Sequence, residues 1–514
     1  MPLKLMVLEA YFCYSFFMKQ AAYEYFLQKL RSKPDAADRM ITPVVFDEST
    51  VGRVHFVGIC GKAMASLAGL FIKAGYVVTG SDDEWNPPMS TMLEHIGVKG
   101  APFAATNLDG VDLVVMGNAF KPSNIEAVEA RKRGLPQISS AEAYARFFIK
   151  DTRSIVISGT HGKTTTSSLA THVFINSDKK TNALIGGVLK NTRESYHYAG
   201  SDAQYSIVEG DEYDTAYFDK GPKFLHYRPT IGVITSIEFD HSDIYDDMED
   251  YLAAFVFFAA EIPKDGYLLL NDGIKLEYKN KIEEITEGKL LSYGLLDSSN
   301  IRAHNIRIEK GGQRFNVSIE GVIYTDFFIP MFGTYNVENA LSVIAVALRE
   351  GISEETLKES LKTFQGAEQR QQILYDANDI TVIDDFAHHP TAVRVTLEGI
   401  RQHYPDRRII AVFEPRSNAS RRKDFEIPYS EAFDDADIVI LKTPPFRHND
   451  VTDNFIDIDS VVQKIKNRNR EALSCVDVDD VVRYILNNQN PGDVIVIMSN
   501  GHFDGLREKL VAVL

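Results

Sequence analysis

The chain has 514 residues, 44% apolar and 25% charged, ordinary values for a globular protein, which exclude wholesale disorder and a collagen-like repeat. Its 55 Lys and Arg against 72 Asp and Glu leave a net charge of −17. That excludes a general nucleic-acid grip, which needs clustered cations on phosphates. The length suggests about three domains, each large enough for its own core. The apolar stretch Leu5–Met18 is interrupted by Glu9 and falls short of the roughly 20 residues a bilayer span requires. No small-residue cleavage site follows it, which argues against a signal peptide. Ala21 to Lys33 is expected to form an amphipathic helix ended by Pro34. A peripheral helix is one reading of it, and a membrane-surface role is another. Three separated cysteines, Cys13, Cys60 and Cys475, form no metal motif and no disulfide framework, and point to a reducing cytoplasm.

Past the N-terminal fifty residues, Val- and Ile-rich runs alternate with helical patterns. Strands are expected at Val54–Val57, Val77–Thr79, Val111–Met116, Ser154–Ser158, Ile231–Thr235, Ile380–Ile383, Ile409–Phe413, Ile438–Leu441 and Val494–Met498. Continuous apolar runs read as buried parallel strands, and alternation with helices gives an α/β fold. Asn300–Phe328 alternates polar and apolar residues, and is expected to be an antiparallel pair. The expected division is an extension over 1–51, helical or poorly ordered, and three domains over 52–150, 151–364 and 365–514.

Gly159-Thr160-His161-Gly162-Lys163-Thr164-Thr165 follows the strand Ser154–Ser158 and precedes the helical pattern Ser167–Phe174. Such a loop turns backbone N–H groups toward phosphate at a helix N-terminus. Lys163 would reach the β- and γ-phosphates and Thr164 would ligate Mg²⁺. Ile157 stands where the usual P-loop has its first glycine, so the loop is a shortened variant. Earlier, Gly58-Ile59-Cys60-Gly61 follows a first strand, with Asp82 ending the next, as in a dinucleotide turn that has lost glycines. Acidic residues close two further strands: Glu209-Gly-Asp211-Glu212-Tyr-Asp214, and Glu238-Phe-Asp240-His241. Near a P-loop, these are candidate metal ligands. Asn336 and Asn339 share one helical face and could touch one ligand. Asp385, in Asp384-Asp385-Phe386-Ala387-His388-His389-Pro390, ends a strand before a helix that Pro390 opens.

In this order the motifs resemble the Mur ligase family, ATP-dependent peptide ligases of bacterial wall synthesis, over residues 52–514. The resemblance implies three domains: a Rossmann-like UDP-sugar-binding domain, a central P-loop ATPase domain with a parallel sheet and a small antiparallel sheet, and a Rossmann-like peptide-binding domain. It implies ATP and Mg²⁺, with Lys163, Glu209 and His241 catalytic, and Thr164, Glu209 and His241 at metal. ATP would be met by Gly159–Thr165, Asn336, Asn339, Arg370 and Asp385. Gly58, Cys60, Gly61 and Asp82 would lie at the UDP-sugar, and Arg416, Ser417 and Asn418 would hold a peptide carboxylate. Two departures stand out. Glu368-Gln369 precede Arg370 where the family usually has a second basic residue, and Val256 occupies the position of the carbamylated lysine found in several members.

Further strings are similar to the branch that joins UDP-N-acetylmuramate to the murein tripeptide L-Ala-γ-D-Glu-meso-diaminopimelate in wall recycling. They are Pro87-Pro88-Met89-Ser90-Thr91, Glu212–Lys220, His226-Tyr-Arg228-Pro229, Phe413-Glu-Pro-Arg416-Ser-Asn418 and Met498-Ser-Asn500-Gly501. The resemblance thus implies small-molecule partners, a cytoplasmic monomer or weak homo-oligomer, no nucleic acid and no stable membrane insertion. The alternatives are an L-alanine-adding ligase and a non-catalytic sensor of ATP and UDP-sugar.

Overall fold

The structure is a computed structural model that describes residues 15–32, 36–86, 89–241, 244–446 and 454–514. Cys13, Pro87, Pro88 and all but the last four residues of Leu5–Met18 lie outside these. The chain divides into two compact units. The first comprises Met1–Arg302, Ser318–Val322 and Leu341–Ser360, and the second Ala303–Val317, Ile323–Ala340 and Leu361–Leu514.

The first unit opens with helix α1 (Ser15–Arg31). Its Ala22, Tyr25, Phe26 and Leu30 are buried against the rest of the unit. The apolar face expected to lie peripherally, or on a membrane, is therefore already covered by protein. Among the described residues no helix is long and apolar enough to cross a membrane.

Strands β1 (Arg53–Val57), β2 (Val77–Ser81), β3 (Gly100–Ala101), β4 (Leu113–Met116) and β5 (Gln137–Ser139) form a parallel sheet in the order β3-β2-β1-β4-β5. Helix α2 (Lys62–Lys73) covers it, burying Met64 through Phe71. A second sheet holds β6 (Arg153–Ser158), β7 (Thr181–Leu189), β8 (Glu194–His197) and β9 (Tyr205–Gly210). After the small hairpin β10 (Asp214–Ala216) and β11 (Asp219–Pro222), it is completed by β12 (Ile231–Ile234), β13 (Tyr267–Asn271) and β14 (Lys289–Gly294). Its order within the unit is β14-β13-β12-β6-β9-β7-β8, parallel except at β8. Helix α3 (Lys163–Ile175) follows β6, and α4 (Met248–Ala260) follows β12. Gly69 lets α2 cross β8 closely, because a Cβ there would stand 2.4 Å from the Tyr196 ring.

Asn300–Phe328 forms three strands rather than a pair: β15 (Ile301–Glu309), β16 (Gly312–Ile319) and β17 (Val322–Ile329). The alternation was sound, but the turns at Lys310–Gly311 and Glu320–Gly321 cut it twice. Helix α5 (Thr334–Arg349) follows.

The second unit carries β18 (Gln372–Ala377), β19 (Ile380–Asp385), β20 (Ile409–Phe413), β21 (Ile438–Lys442), β22 (Glu471–Cys475) and β23 (Val494–Met498). Their order is β18-β19-β23-β20-β21-β22, parallel except at β18. Separate apolar clusters cover the two faces, as a sheet of fully buried strands requires. Helix α6 (Pro390–His403) enters through His389, whose ring accepts from the Thr391 N–H, with Pro390 in the first turn. The fold is thus α/β throughout, with parallel sheets whose carboxyl ends carry the motif residues, the usual position for ligands in open sheets.

Candidate active site

The Gly159–Thr165 loop joins β6 to α3. Gly159 has φ +126°, and a Cβ there would meet Thr235 Oγ1 at 2.2 Å, so only glycine fits. Gly162 sits in the left-handed region at the helix entry. The stretch after β12 fixes the loop from outside. Thr160 N–H donates to the Ser236 carbonyl at 3.0 Å, and His161 N–H to Ser236 Oγ at 2.8 Å. Thr160 Oγ1 donates to the Glu238 carbonyl at 2.9 Å, and Thr235 Oγ1 to the His161 carbonyl. The loop is thereby shaped by the protein itself, and the Thr160 and His161 N–H groups, expected to face phosphate, are engaged by Ser236.

Two acid–base groupings lie along this loop. In one, Thr164 Oγ1 donates to Glu209 Oε1 at 2.9 Å, while Gly186 N–H and Ser167 Oγ donate to Glu209 Oε2 at 2.8 and 3.4 Å. Burial, followed by the charge of Asp211, raises the Glu209 carboxyl above its ordinary value. In the other, Lys163 Nζ donates to Glu212 Oε2 at 2.8 Å and to the Gly159 carbonyl at 2.5 Å. Glu212 Oε1 accepts from Tyr251 Oη at 3.2 Å and lies 3.3 Å from His241 Nε2. Burial works against the Glu212 carboxylate, but Lys163 and then His241 more than offset it and hold it at about 2. The same pairing raises His241 and Lys163 despite their burial. His241 has φ +54°, and its N–H donates to Asp240 Oδ1 at 2.7 Å. Thr164 and Glu209 are thus brought together, whereas His241 is held by Glu212. Glu212, named among the acidic candidates but given no role of its own, organises this grouping. It was visible in the acidic string after β9, but nothing in that string says which carboxylate turns toward Lys163.

At the end of β1, Gly58 has φ +82° and would clash with the Phe120 ring, 1.9 Å from a Cβ, if it were larger. Cys60 N–H donates to Asp82 Oδ2 at 2.9 Å, and Gly61 precedes the first turn of α2. Asp82 thus ties the turn to the end of β2. Burial, helped by Asp82, pushes the Cys60 thiol up to about 11.

The second unit holds Asn336, Asn339, Arg370 and Asp385. Asn336 Nδ2 donates to the Phe332 carbonyl at 2.8 Å and to Gln371 Oε1 at 3.3 Å, while Asn339 Nδ2 donates to Asn336 Oδ1 at 3.2 Å. The two asparagines share a face, as expected, but contact each other. Asp385 accepts from the N–H groups of Gln371 and Ala387 at 2.9 and 2.8 Å. Burial raises its carboxyl, against the pull of Arg370. Arg370 lies 4.3 Å above the Phe386 ring. Gln371, absent from the sequence-based set, binds Asp385, Asn336 and, at 2.7 Å, Tyr335 Oη.

After β20, Ser417 Oγ accepts from Ser420 N–H at 3.0 Å, and Asn418 Oδ1 from Arg421 at 3.1 Å, so both shape the turn. Arg416 lies across Gly501, where a Cβ would stand 2.4 Å from its side chain, and among the described residues it makes no ion pair within 4 Å. Beside it, Lys442 is buried with Glu414 at 3.3 Å and bonded to Asp504, and Arg507 pairs with Asp384 at 2.6 Å.

Comparison with known proteins adds independent findings. The chain matches "Mur ligase family, catalytic domain" over residues 53–151, "Mur ligase middle domain" over 157–347 and "Mur ligase, glutamate ligase domain" over 369–501. It is 33% identical over 468 residues to the UDP-N-acetylmuramate–L-alanyl-γ-D-glutamyl-meso-2,6-diaminoheptandioate ligase of Escherichia coli strain K12, covering 89% of this chain and 97% of that one. It is also 33% identical over 470 residues to the UDP-N-acetylmuramate–L-alanine ligase of Sulfurihydrogenibium sp. strain YO3AOP1, covering 90% and 98%. A crystal structure of a murein peptide ligase from Psychrobacter arcticus 273-4 is similar at TM-score 0.66 and 31% identity, over 90% of this chain and 98% of that one.

Proposed function

This chain belongs to the Mur ligase family, an ATP-dependent, ADP-forming ligase, and from that premise we propose that it joins UDP-N-acetylmuramate to L-Ala-γ-D-Glu-meso-diaminopimelate. Residues 52–150 would take the UDP-sugar at Gly58, Cys60, Gly61 and Asp82. Residues 151–364 would take ATP on the Gly159–Thr165 loop, and residues 365–514 would take the peptide. Asn336, Asn339, Arg370 and Asp385 are proposed nucleotide contacts.

The observation that carries the peptide reading is Arg416. It is a guanidinium at the carboxyl end of a parallel sheet with no ion pair among the described residues, laid over a glycine that leaves it room. A guanidinium binds a carboxylate through two parallel hydrogen bonds, and the tripeptide offers several. The strings after β20 and β23 support the same reading. The relatives named for the tripeptide and for L-alanine are equally similar, so the choice between acceptors rests on this side of the molecule.

In the proposed reaction a muramate carboxylate oxygen attacks the γ-phosphorus of ATP, and ADP leaves. The peptide α-amine then attacks the acyl carbon, loses a proton, and phosphate leaves. Lys163 has three N–H donors, so it stabilises the oxygens of the transferring phosphoryl group while staying on Glu212. The Thr164 hydroxyl and Glu209 carboxylate are hard oxygen donors that suit magnesium, and His241 would assist at a second ion. The metal, when bound, neutralises charge at the transferring group. Glu212 keeps Lys163 and His241 charged and aimed.

The test is ADP release with Mg²⁺ and UDP-N-acetylmuramate, supplied with either L-alanine or the tripeptide. Turnover with the tripeptide alone is expected. Turnover with L-alanine alone would assign the chain to the L-alanine-adding reaction, and nucleotide binding without ADP release in either case would make it a sensor.

A further inference from the structure

Helix α1 lies wholly ahead of residue 53, where the family match begins, and about a tenth of this chain falls outside its alignment to relatives that are themselves almost fully covered. Yet α1 is packed into the first unit. Tyr25, Phe26 and Phe257 form an aromatic cluster, with ring centroids 5.1 to 6.1 Å apart, and Phe26 also lies against Gly221 of β11. Three polar contacts reach further. Tyr25 Oη and Lys29 Nζ both donate to the buried Asp250, and Lys29 Nζ also donates to the Ile244 carbonyl at 3.4 Å. Asp250 in turn accepts from Asp246 N–H at 3.0 Å. The backbone gripped in this way touches both partners of Lys163's acid–base group. Ile244 and Tyr245 N–H donate to the His241 carbonyl at 2.8 and 3.0 Å, and Tyr245 Oη donates to the Glu212 carbonyl. Lys29 Nζ stands 5.0 Å from the centre of the Tyr245 ring.

We propose that α1 is a positioning element for the Glu212–His241 pair. Lys29 and Tyr25 lock Asp250 and the 244–246 backbone, and that backbone holds His241 and Glu212 in register with Lys163. The inference rests on the catalytic reading of these residues given above. It adds that this chain, through a segment its family match does not include, orients them from outside. Lys29 and Tyr25 touch no proposed substrate contact, so they act on turnover and not on substrate binding. Small misplacements of reacting groups are costly in rate, which is why a remote grip of this kind is felt.

The experiment compares the full chain with Lys29→Ala, Lys29→Arg and Tyr25→Phe by steady-state ADP release and by backbone hydrogen exchange. Lys29→Ala is expected to lower kcat roughly tenfold while leaving KM for ATP and acceptor within about twofold. It should also speed exchange at Ile244–Asp246. Lys29→Arg should restore most of both, and Tyr25→Phe, which keeps the ring, should move both less in the same direction. Unchanged kcat and local exchange in Lys29→Ala and Tyr25→Phe would overturn the proposal. So would faster exchange throughout the first unit with no rescue by arginine, since that is general destabilisation. The exchange measurement needs no turnover, so a full chain inert with both acceptors would sink the catalytic reading while the coupling itself was still decided.

Discussion

The two units handle charge in opposite ways. In the first, the lysine proposed to meet phosphate is already engaged, with Lys163 on Glu212, Glu212 on His241 and Thr164 on Glu209. In the second, Arg416 makes no ion pair among the described residues, whereas Lys442 and Arg507 are paired with Glu414 and Asp384. Under the proposed function, the difference separates chemistry from recognition. A phosphoryl-transfer centre must be pre-oriented, because charge stabilisation is strongest when donors do not reorganise during the reaction. An acceptor pocket gains from a guanidinium left open for its ligand.

The largest expected effect breaks the first half of this contrast. Lys163→Met should reduce ADP release by at least about 10²-fold, by analogy with loss of an oriented charge donor. The fold should persist, as judged by circular dichroism. A variant retaining more than a tenth of the rate would remove Lys163 from the chemistry.

Glu212→Gln should be nearly as severe in rate and also costly in stability. It leaves Lys163 and His241 without their buried counter-charge, a loss of about 3 kcal/mol for a partner removed from a buried pair. Urea unfolding followed by fluorescence would read it, and an unchanged midpoint would show that the pairing does not stabilise the unit.

Arg416→Ala sharpens the second half. It should raise KM for the peptide acceptor roughly 10- to 100-fold, the range of one or two charged hydrogen bonds. KM for ATP should stay put. A loss shared by ATP and acceptor would move Arg416 from recognition to folding.

The smallest effect is in pH, and Glu212 and Asp384 give it opposite signs. Glu212 is held at about 2, below its ordinary 4.5, so its contribution to stability is complete above pH 4.5 and is lost as pH falls toward 2. Asp384 is raised to about 6 from 3.8 by burial, which outweighs Arg507. Its contribution is complete below 3.8 and fades as pH rises through 6. Hydrogen exchange in β19, followed from pH 6 to 4, should therefore show rising protection. The loss that comes from Glu212 begins only below about 4.5. Falling protection in β19 over that range would contradict the assignment of Asp384.

Much of the fold could be read from the chain alone. Runs such as Ile409–Phe413 and Val494–Met498 are apolar at every position, which only a strand buried on both faces tolerates, and both ends matched. Boundaries drifted where polar residues extend a strand, as at Asp384 and Asp385 in β19, or where an apolar start is a turn, as at Val111 before β4. The helix after the P-loop begins at Lys163, four residues before the apolar pattern does. Its first turn is built from loop geometry and not from periodicity. The third strand of β15–β17 was missed because alternation alone does not count turns.

What the sequence by itself determined is the set of local demands. Glycines stand at Gly58 and Gly159 where a side chain would collide, a lysine and a threonine open a helix behind a strand, and acidic residues end the strands beside it. The residue types can be read along the chain, although what Gly58 and Gly159 would collide with, Phe120 and Thr235, lies far from them in sequence. The tertiary structure alone decided the partners. It chose Glu212 over Asp211 for Lys163, turned Asn336 and Asn339 toward each other and Gln371, and brought Asp250 and Tyr245 beneath a helix more than 200 residues upstream. Those choices depend on which side chains burial forces together, and a pattern along the chain carries no information about contacts made across it.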